Sequence, residues 1–306
     1  MDRSRGIRDE QRAEWGAVAP GWQRNREKMA GPTSTITEKM LSLAGISAGQ
    51  RVLDLACGVG DPAFAIAGLV GPGGYVLGLD LSPQMIEAAR ELSSREKVNN
   101  VEFRTIASEL ELGVPGESFD VATCRLGLMF MPDPVAALQE MRAALRPGGR
   151  VVASVWGAPE RNPNFSVPME IIARHADLTP QDADAPGLFA IPNPEKLETL
   201  LREAGFVDVE AFAFETPVVK AKDAESYWYG VSNVAGPLVS ILASLSEEQR
   251  RAVREDVVEV IGGKFPDGPV EIDGEAVVAA GTRSSLKALS TGLHPARCGG
   301  TGRRRT

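Results

Sequence analysis

The sequence predicts an α/β fold: a seven-stranded, mostly parallel sheet with helices on both faces and helical insertions over its mouth. Three observations predict it. Short apolar runs of strand length alternate with helical stretches between residues 51 and 156, the order a parallel sheet requires. Proline or glycine punctuates most of the junctions. The 306 residues, 43% hydrophobic and 24% charged, can bury one sizeable core.

Residues 1–44 read as an N-terminal helical cap. Its first part is polar, anchored by Trp15, Val18 and Trp22 and broken at Pro20-Gly21; a second helix, Thr33–Ala44, stops at Gly45. The strand Arg51–Leu55 follows, then the helix Pro62–Val70. Tyr75–Leu79 is a strand ending in Asp80, and Ser82 caps the helix Pro83–Leu92. Val101–Ile106 and Phe119–Cys124 are strands, and the helix Pro134–Leu145 is stopped by Pro147-Gly148-Gly149 before the strand Val151–Trp156.

Beyond Trp156 the rhythm changes. Helices are expected at Ser166–Ala176, Pro194–Ala204, Ala224–Leu245 and Glu247–Ile261, with strands at Val207–Phe214 and Glu275–Ala280 and irregular chain at Thr179–Pro194. Residues 45–282 are therefore taken as one domain, with lid insertions at about 157–193 and 222–262. From Arg283 to the end come six basic residues and no acid, read as a disordered basic tail (283–306).

Composition narrows the function. The net charge of −8 argues against a nucleic-acid partner. No apolar run approaches the ~18 residues of a membrane span, and Met1–Arg5 lack the apolar core of a signal peptide. Cys57, Cys124 and Cys298 are odd in number without a C-x-x-C spacing, so a reducing cytoplasm is expected and no metal.

The chemistry is concentrated in Val52-Leu53-Asp54-Leu55-Ala56-Cys57-Gly58-Val59-Gly60-Asp61, where a strand ends in an acid, enters a Gly-x-Gly turn and opens a helix. Glycine lets backbone approach a ligand, and the helix start offers unpaired N–H groups. Ala63 permits the dinucleotide spacing G-x-G-x-x-G/A, but carboxylates at Asp54 and Asp61 would repel a pyrophosphate. They would attract the ammonium and sulfonium of S-adenosylmethionine. Asp80, twenty residues after Gly60, is placed to accept from ribose hydroxyls of any adenosyl ligand, and Leu81 and Met85 to sandwich an adenine or simply to fill the core.

Residues 45–156 resemble a class I S-adenosylmethionine-dependent methyltransferase, close to the UbiE-type quinone-biosynthesis and small-molecule methyltransferases. The resemblance rests on Asp54–Gly60, Gly78-Leu79-Asp80-Leu81-Ser82, Ser118-Phe119-Asp120-Val121 and Leu145-Arg146-Pro147-Gly148-Gly149, in that order and spacing. It implies a Rossmann-like sheet, S-adenosylmethionine as cofactor and S-adenosylhomocysteine as product. It also implies that Gly58 and Gly60 lie along the methionine portion with Asp54 on its ammonium, that Ala56 is a cofactor contact, and that Asp80 lies on the ribose and Leu81 on adenine. Ala107 and Ser108 follow the third strand, where similar sequences usually place an acid against the adenine amine; Glu109 is the alternative. Cys124 and Arg125 would line the methionine end, and Met129 and Phe130 would face the transferred methyl.

Methyl transfer from a sulfonium is an in-line displacement, and a base is needed only for a protonated, weakly acidic nucleophile. With His294 in the tail, His175 is the candidate base; its other reading is a solvent-exposed helix terminus. Tyr227-Trp228-Tyr229 suggests an aromatic wall, although adjacent helical residues cannot all face one ligand; Tyr227, Trp228 and Trp22 are the candidate acceptor contacts. The expected partner is a small hydrophobic, phenolic or quinol-like acceptor methylated on oxygen or carbon, and the expected assembly a monomer or homodimer. The alternatives are a small-amine N-methyltransferase, a nicotinamide-dependent oxidoreductase and a non-catalytic cofactor binder.

Overall fold

The computed structural model describes residues 3–176, 185–234 and 236–285. Seven strands form one sheet in the order β3-β2-β1-β4-β5-β7-β6. They are β1 (Arg51–Leu55), β2 (Tyr75–Asp80), β3 (Val101–Thr105), β4 (Phe119–Arg125), β5 (Leu145–Trp156), β6 (Phe206–Ala221) and β7 (Val270–Arg283). The first five pair in parallel; β7 runs antiparallel to both β5 and β6. β1 is buried from Val52 to Leu55, as a central strand covered on both faces must be. Strand order reverses between β1 and β4, so the carboxyl ends of β1, β2 and β4 open onto one crevice.

The helices are α1 (Arg3–Ala44), α2 (Ala63–Val70), α3 (Pro83–Glu96), α4 (Pro134–Ala144), α5 (Pro163–His175), α6 (Pro194–Glu203), α7 (Ala224–Val234), α8 (Gly236–Ser244) and α9 (Glu247–Lys264). Side-chain caps start several of them: Ser82 accepts from Met85 N, Asp133 from Ala136 N, and Asn193 from Lys196 N. Ser246 and Gln249 form a reciprocal capping box at α9.

The N-terminal cap departs from the expected two pieces. α1 is one helix that runs through Pro20 and stops at Gly45, whose φ is +61°. A proline inside a helix costs ~3 kcal/mol. Here Val18, Ala19, Ile36 and Met40, all buried, dock α1 against the rest of the fold and offset that cost. Conversely, the single helix expected over Ala224–Leu245 is two, because Pro237 sits in the first turn of α8 and cannot continue a ladder from α7. β5 starts at Leu145, directly after α4, with a register shift between Phe119 and Val121 absorbing Pro147-Gly148-Gly149. β6 and β7 are about twice as long as their alternation suggests.

Arg283, read from sequence as the first residue of a tail, closes β7. Its guanidinium donates to the Leu145 carbonyl and pairs with Glu117 at 2.7 Å. The remaining tail from residue 286, and residues 177–184 of the irregular stretch, lie outside the described residues. Two apolar cores result: one on both faces of the sheet, and a second in which Ile171, Ile172, Tyr227, Leu238, Val253 and Val257 unite α5, α7, α8 and α9.

Candidate active site

The turn after β1 is built by backbone. Cys57 N donates to Leu79 O at 3.0 Å and Gly60 N to Cys57 O at 3.0 Å. Gly58 and Gly60 take φ of +55° and +108°. A Cβ on Gly60 would lie 2.2 Å from Phe64 Cε2, so the ring occupies the space a side chain would need; around Gly58 nothing lies within 4 Å. Ala56 and Leu126 also adopt positive φ, at +57° each. These strained residues end β1 and β4, where Gly127 lets the two turns touch: its Cβ would stand 2.5 Å from Ala56 Cβ.

Asp54 is fully buried beneath this turn. Its Oδ1 accepts from Thr123 Oγ1 at 2.7 Å, while Oδ2 has no hydrogen-bond partner among the described residues. Burial pushes its pKa up to about 7, against the lowering influence of the Thr123 hydroxyl and Arg125. Asp80 accepts from Gly58 N and Ser82 N, each at 2.9 Å. Burial nevertheless raises its pKa.

Asp61 is not the free carboxylate that the sequence suggests. Arg26 of α1 donates to it at 3.0 Å, and Arg125 donates to the Asp61 carbonyl and to Thr37 Oγ1, both at 2.9 Å. The repulsion expected of Asp54 and Asp61 against a pyrophosphate therefore reduces to Asp54.

A cavity of about 790 Å³ opens at these strand ends. Of the sequence-derived cofactor candidates, Ala56, Asp80, Leu81, Met85 and Arg125 line it. Asp54 and Cys124 lie buried behind the wall, and Gly58 and Gly60 form the turn beside it. Burial raises the pKa of both Cys57 and Cys124, which therefore stay neutral thiols.

Ala107 and Ser108 do not line the cavity. The Ala107 carbonyl accepts from Arg12, and Ser108 Oγ accepts from Leu110 N at 3.3 Å. Glu109 is the residue of that segment on the wall, and both its oxygens are held by Arg8 of α1. A partner 101 residues away leaves no periodic trace, so sequence reasoning missed Arg8.

At the other end the wall is largely apolar. Trp22, Met129, Phe130 and Tyr227 line it, and Trp15 meets Phe130 edge-on with centroids 5.1 Å apart. Trp228 does not: it packs against the second core, and Tyr229 takes its place on the wall. His175 is likewise corrected. It lies off the cavity, with Nε2 2.7 Å from Asp256 Oδ2 and its carbonyl accepting from Gln249, and a base must reach the proton it removes.

Sequence reasoning also passed over Asn164. It is fully buried at the start of α5 and lines the cavity, yet neither amide atom has a hydrogen-bond partner among the described residues. Each such unpaired group costs ~1–3 kcal/mol. No group of three or more His, Cys, Asp or Glu side chains placed to hold a metal occurs among the described residues.

Fold and site define the class: a Rossmann-like sheet with an acid near the end of β1, a Gly-x-Gly turn and a carboxylate ending β2 is that of a class I S-adenosylmethionine-dependent methyltransferase. The chain belongs to the methyltransferase domain family, whose model matches residues 46–205. A demethylmenaquinone methyltransferase from Staphylococcus aureus is 31% identical over 187 residues, covering 58% of this chain and 76% of that one. Among solved structures, the YcgJ protein of Bacillus subtilis shares the fold at a TM-score of 0.53 and 19% identity, covering 81% of this chain and 97% of that one. A putative methyltransferase from Bacillus halodurans does so at 0.53 and 19%, covering 82% and 99%.

Proposed function

We propose that the protein moves a methyl group from S-adenosylmethionine to oxygen or carbon of a small hydrophobic, phenolic or quinol-like acceptor. One observation carries this reading: among the described residues, each of the four acids on the cavity wall already has a partner. Asp61 is held by Arg26, Asp80 by two backbone N–H groups, Glu109 by Arg8 and Glu225 by Arg254. A cationic amine acceptor would find no unpaired wall carboxylate, whereas a flat neutral ring meets Trp15, Met129, Phe130 and Tyr229. The name of the Staphylococcus aureus relative supports a quinone-like acceptor.

The residues suit the cofactor. The unpartnered Asp54 Oδ2 is a counter-charge for an ammonium beneath the turn, the bare Gly58 admits close backbone approach, and Asp80 and Leu81 stand ready for ribose and adenine. When bound, S-adenosylmethionine supplies an electrophilic methyl whose bond to sulfur breaks as the bond to the acceptor forms. The chain's task is then alignment and exclusion of water, which Trp15 and Trp22 of α1 and Tyr227 of α7 perform by closing the wall. With His175 off the cavity, the acceptor brings its own ionised oxygen, and α5, α7, α8 and α9 act as the lid. Methyl transfer to a panel of phenols, quinols and amines, read as S-adenosylhomocysteine released, tests this. Turnover of amines above phenols would sink it.

A further inference from the structure

Two asparagines at the start of α5 differ sharply in use. Both are fully buried. Asn162 spends its whole carboxamide on structure: Nδ2 donates to the Ala158 and Glu275 carbonyls at 3.1 and 3.0 Å, and Oδ1 accepts from Glu275 N at 3.1 Å. That clamp fixes α5 to β7. Two residues on, the backbone of Asn164 is equally fixed, because its carbonyl accepts from the Tyr227 hydroxyl at 2.8 Å and so ties α5 to α7. Its side chain is spent on nothing: Nδ2 and Oδ1 are buried with no partner among the described residues. Trp156, Phe165, Val218 and Tyr227 line the cavity with it.

A carboxamide sets an NH2 donor group and an acceptor oxygen about 2.3 Å apart, rigidly coplanar. An apolar residue of the same shape would fill the position without the cost of two unsatisfied atoms. With its backbone held from both sides, Asn164 presents a group that a ligand with the complementary pair would satisfy.

Building on the acceptor site just proposed, we propose that the Asn164 carboxamide is the polar recognition element of the acceptor subsite. It selects rings that carry a hydroxyl beside a carbonyl: Nδ2 donates to the carbonyl and Oδ1 accepts from the hydroxyl. Asn164 is a specificity and positioning residue. It takes no part in bond making.

The test is calorimetric titration at pH 7 of the S-adenosylhomocysteine-saturated protein with two probes, 3-hydroxychromone, whose hydroxyl stays protonated beside its carbonyl, and 1,4-dimethylnaphthalene. Wild type should bind the first at least about ten-fold tighter. Asn164→Leu should bring the two within about two-fold of each other, by weakening the hydroxychromone alone. Affinity for S-adenosylhomocysteine should not change. The melting temperature should hold or rise in Asn164→Leu and fall in Asn162→Leu; Asn164→Ala serves if the leucine variant fails to fold. An unchanged preference in the folded variant overturns the proposal, as does a wild type without preference. Failure of the wild type to bind S-adenosylhomocysteine would overturn the methyltransferase reading itself, an outcome visible before any variant is made.

Discussion

Arg8 and Glu109, 101 residues apart in the chain, meet in a bidentate ion pair with both N–O distances at 2.7 Å. Neither side chain is more than 9% exposed. The pair fastens α1 to the segment after β3, where Glu109 lines the cavity. Removing one member of a buried pair strands the other, at a cost of ~3–5 kcal/mol. Arg8→Ala and Glu109→Ala should each be destabilising on that scale in urea unfolding. The double variant should lose ~1–3 kcal/mol less than the sum of the singles; strict additivity would mean the pair does not couple.

Asp54 makes stability and cofactor binding respond oppositely to pH. Its native pKa is about 7, against ~3.9 unfolded. Between those values the native state keeps a proton that the unfolded state has lost, so the free protein loses stability as pH rises from ~4 to ~7. Asp54→Asn should flatten that slope and raise the melting temperature at pH 8. Pairing with an ammonium requires the carboxylate, so affinity for S-adenosylmethionine should fall below pH 7 by up to about ten-fold per unit. In Asp54→Asn it should be weak at every pH, which titration at pH 6, 7 and 8 measures.

Gly58→Ala and Gly60→Ala should separate binding from folding. At Gly58 the new Cβ meets no atom within 4 Å, and only the positive φ is penalised, by ~1–2 kcal/mol. Its melting temperature should drop a few degrees, while S-adenosylhomocysteine binds at least ten-fold more weakly because the methyl group stands in its path (roughly, from the loss of close approach). Gly60→Ala drives Cβ into Phe64 and should unfold much more readily. Pairing it with Phe64→Leu should recover only part, since the φ of +108° remains.

His175→Ala should leave turnover within about two-fold of wild type, where loss of a general base would cost ~10²–10⁴. Its partner Asp256 is 41% exposed, so unfolding should shift by less than ~1 kcal/mol. The rate should instead follow the ionisation of each phenolic acceptor as pH is raised.

What could be read from the chain is what neighbouring residues determine together. The run Val52–Asp61, the acid at Asp80 and the cap at Ser82 each lie within one turn or strand end, so their chemistry and their place coincide. Long-range pairing has no such signature. The neutralisation of Asp61 by Arg26 and of Glu109 by Arg8 depends on α1 lying across the sheet, which Pro20-Gly21 argues against locally. The exchange of Trp228 for Tyr229 on the wall turns on the rotation of α7, fixed by the Tyr227 hydroxyl reaching Asn164. Asn164 itself looks like any polar residue at a helix start until its burial is known.

β6 pairs only with β7 among the described residues, which leaves sixteen residues of strand with one margin unpaired by another strand. Such a margin can recruit a second molecule, and Val207 and Phe212, both exposed, would favour it. The strand carries its own deterrents. Pro217 withholds a donor, the register slips at Val207/Glu210 and again at Pro217/Val219, and Asp208, Glu210, Glu215 and Lys220 scatter charge along it. The colloidal behaviour of concentrated solutions thus rests on a few charged residues and one proline of β6, and neutralising them would convert the sheet's last strand into a seed for ribbon-like precipitation.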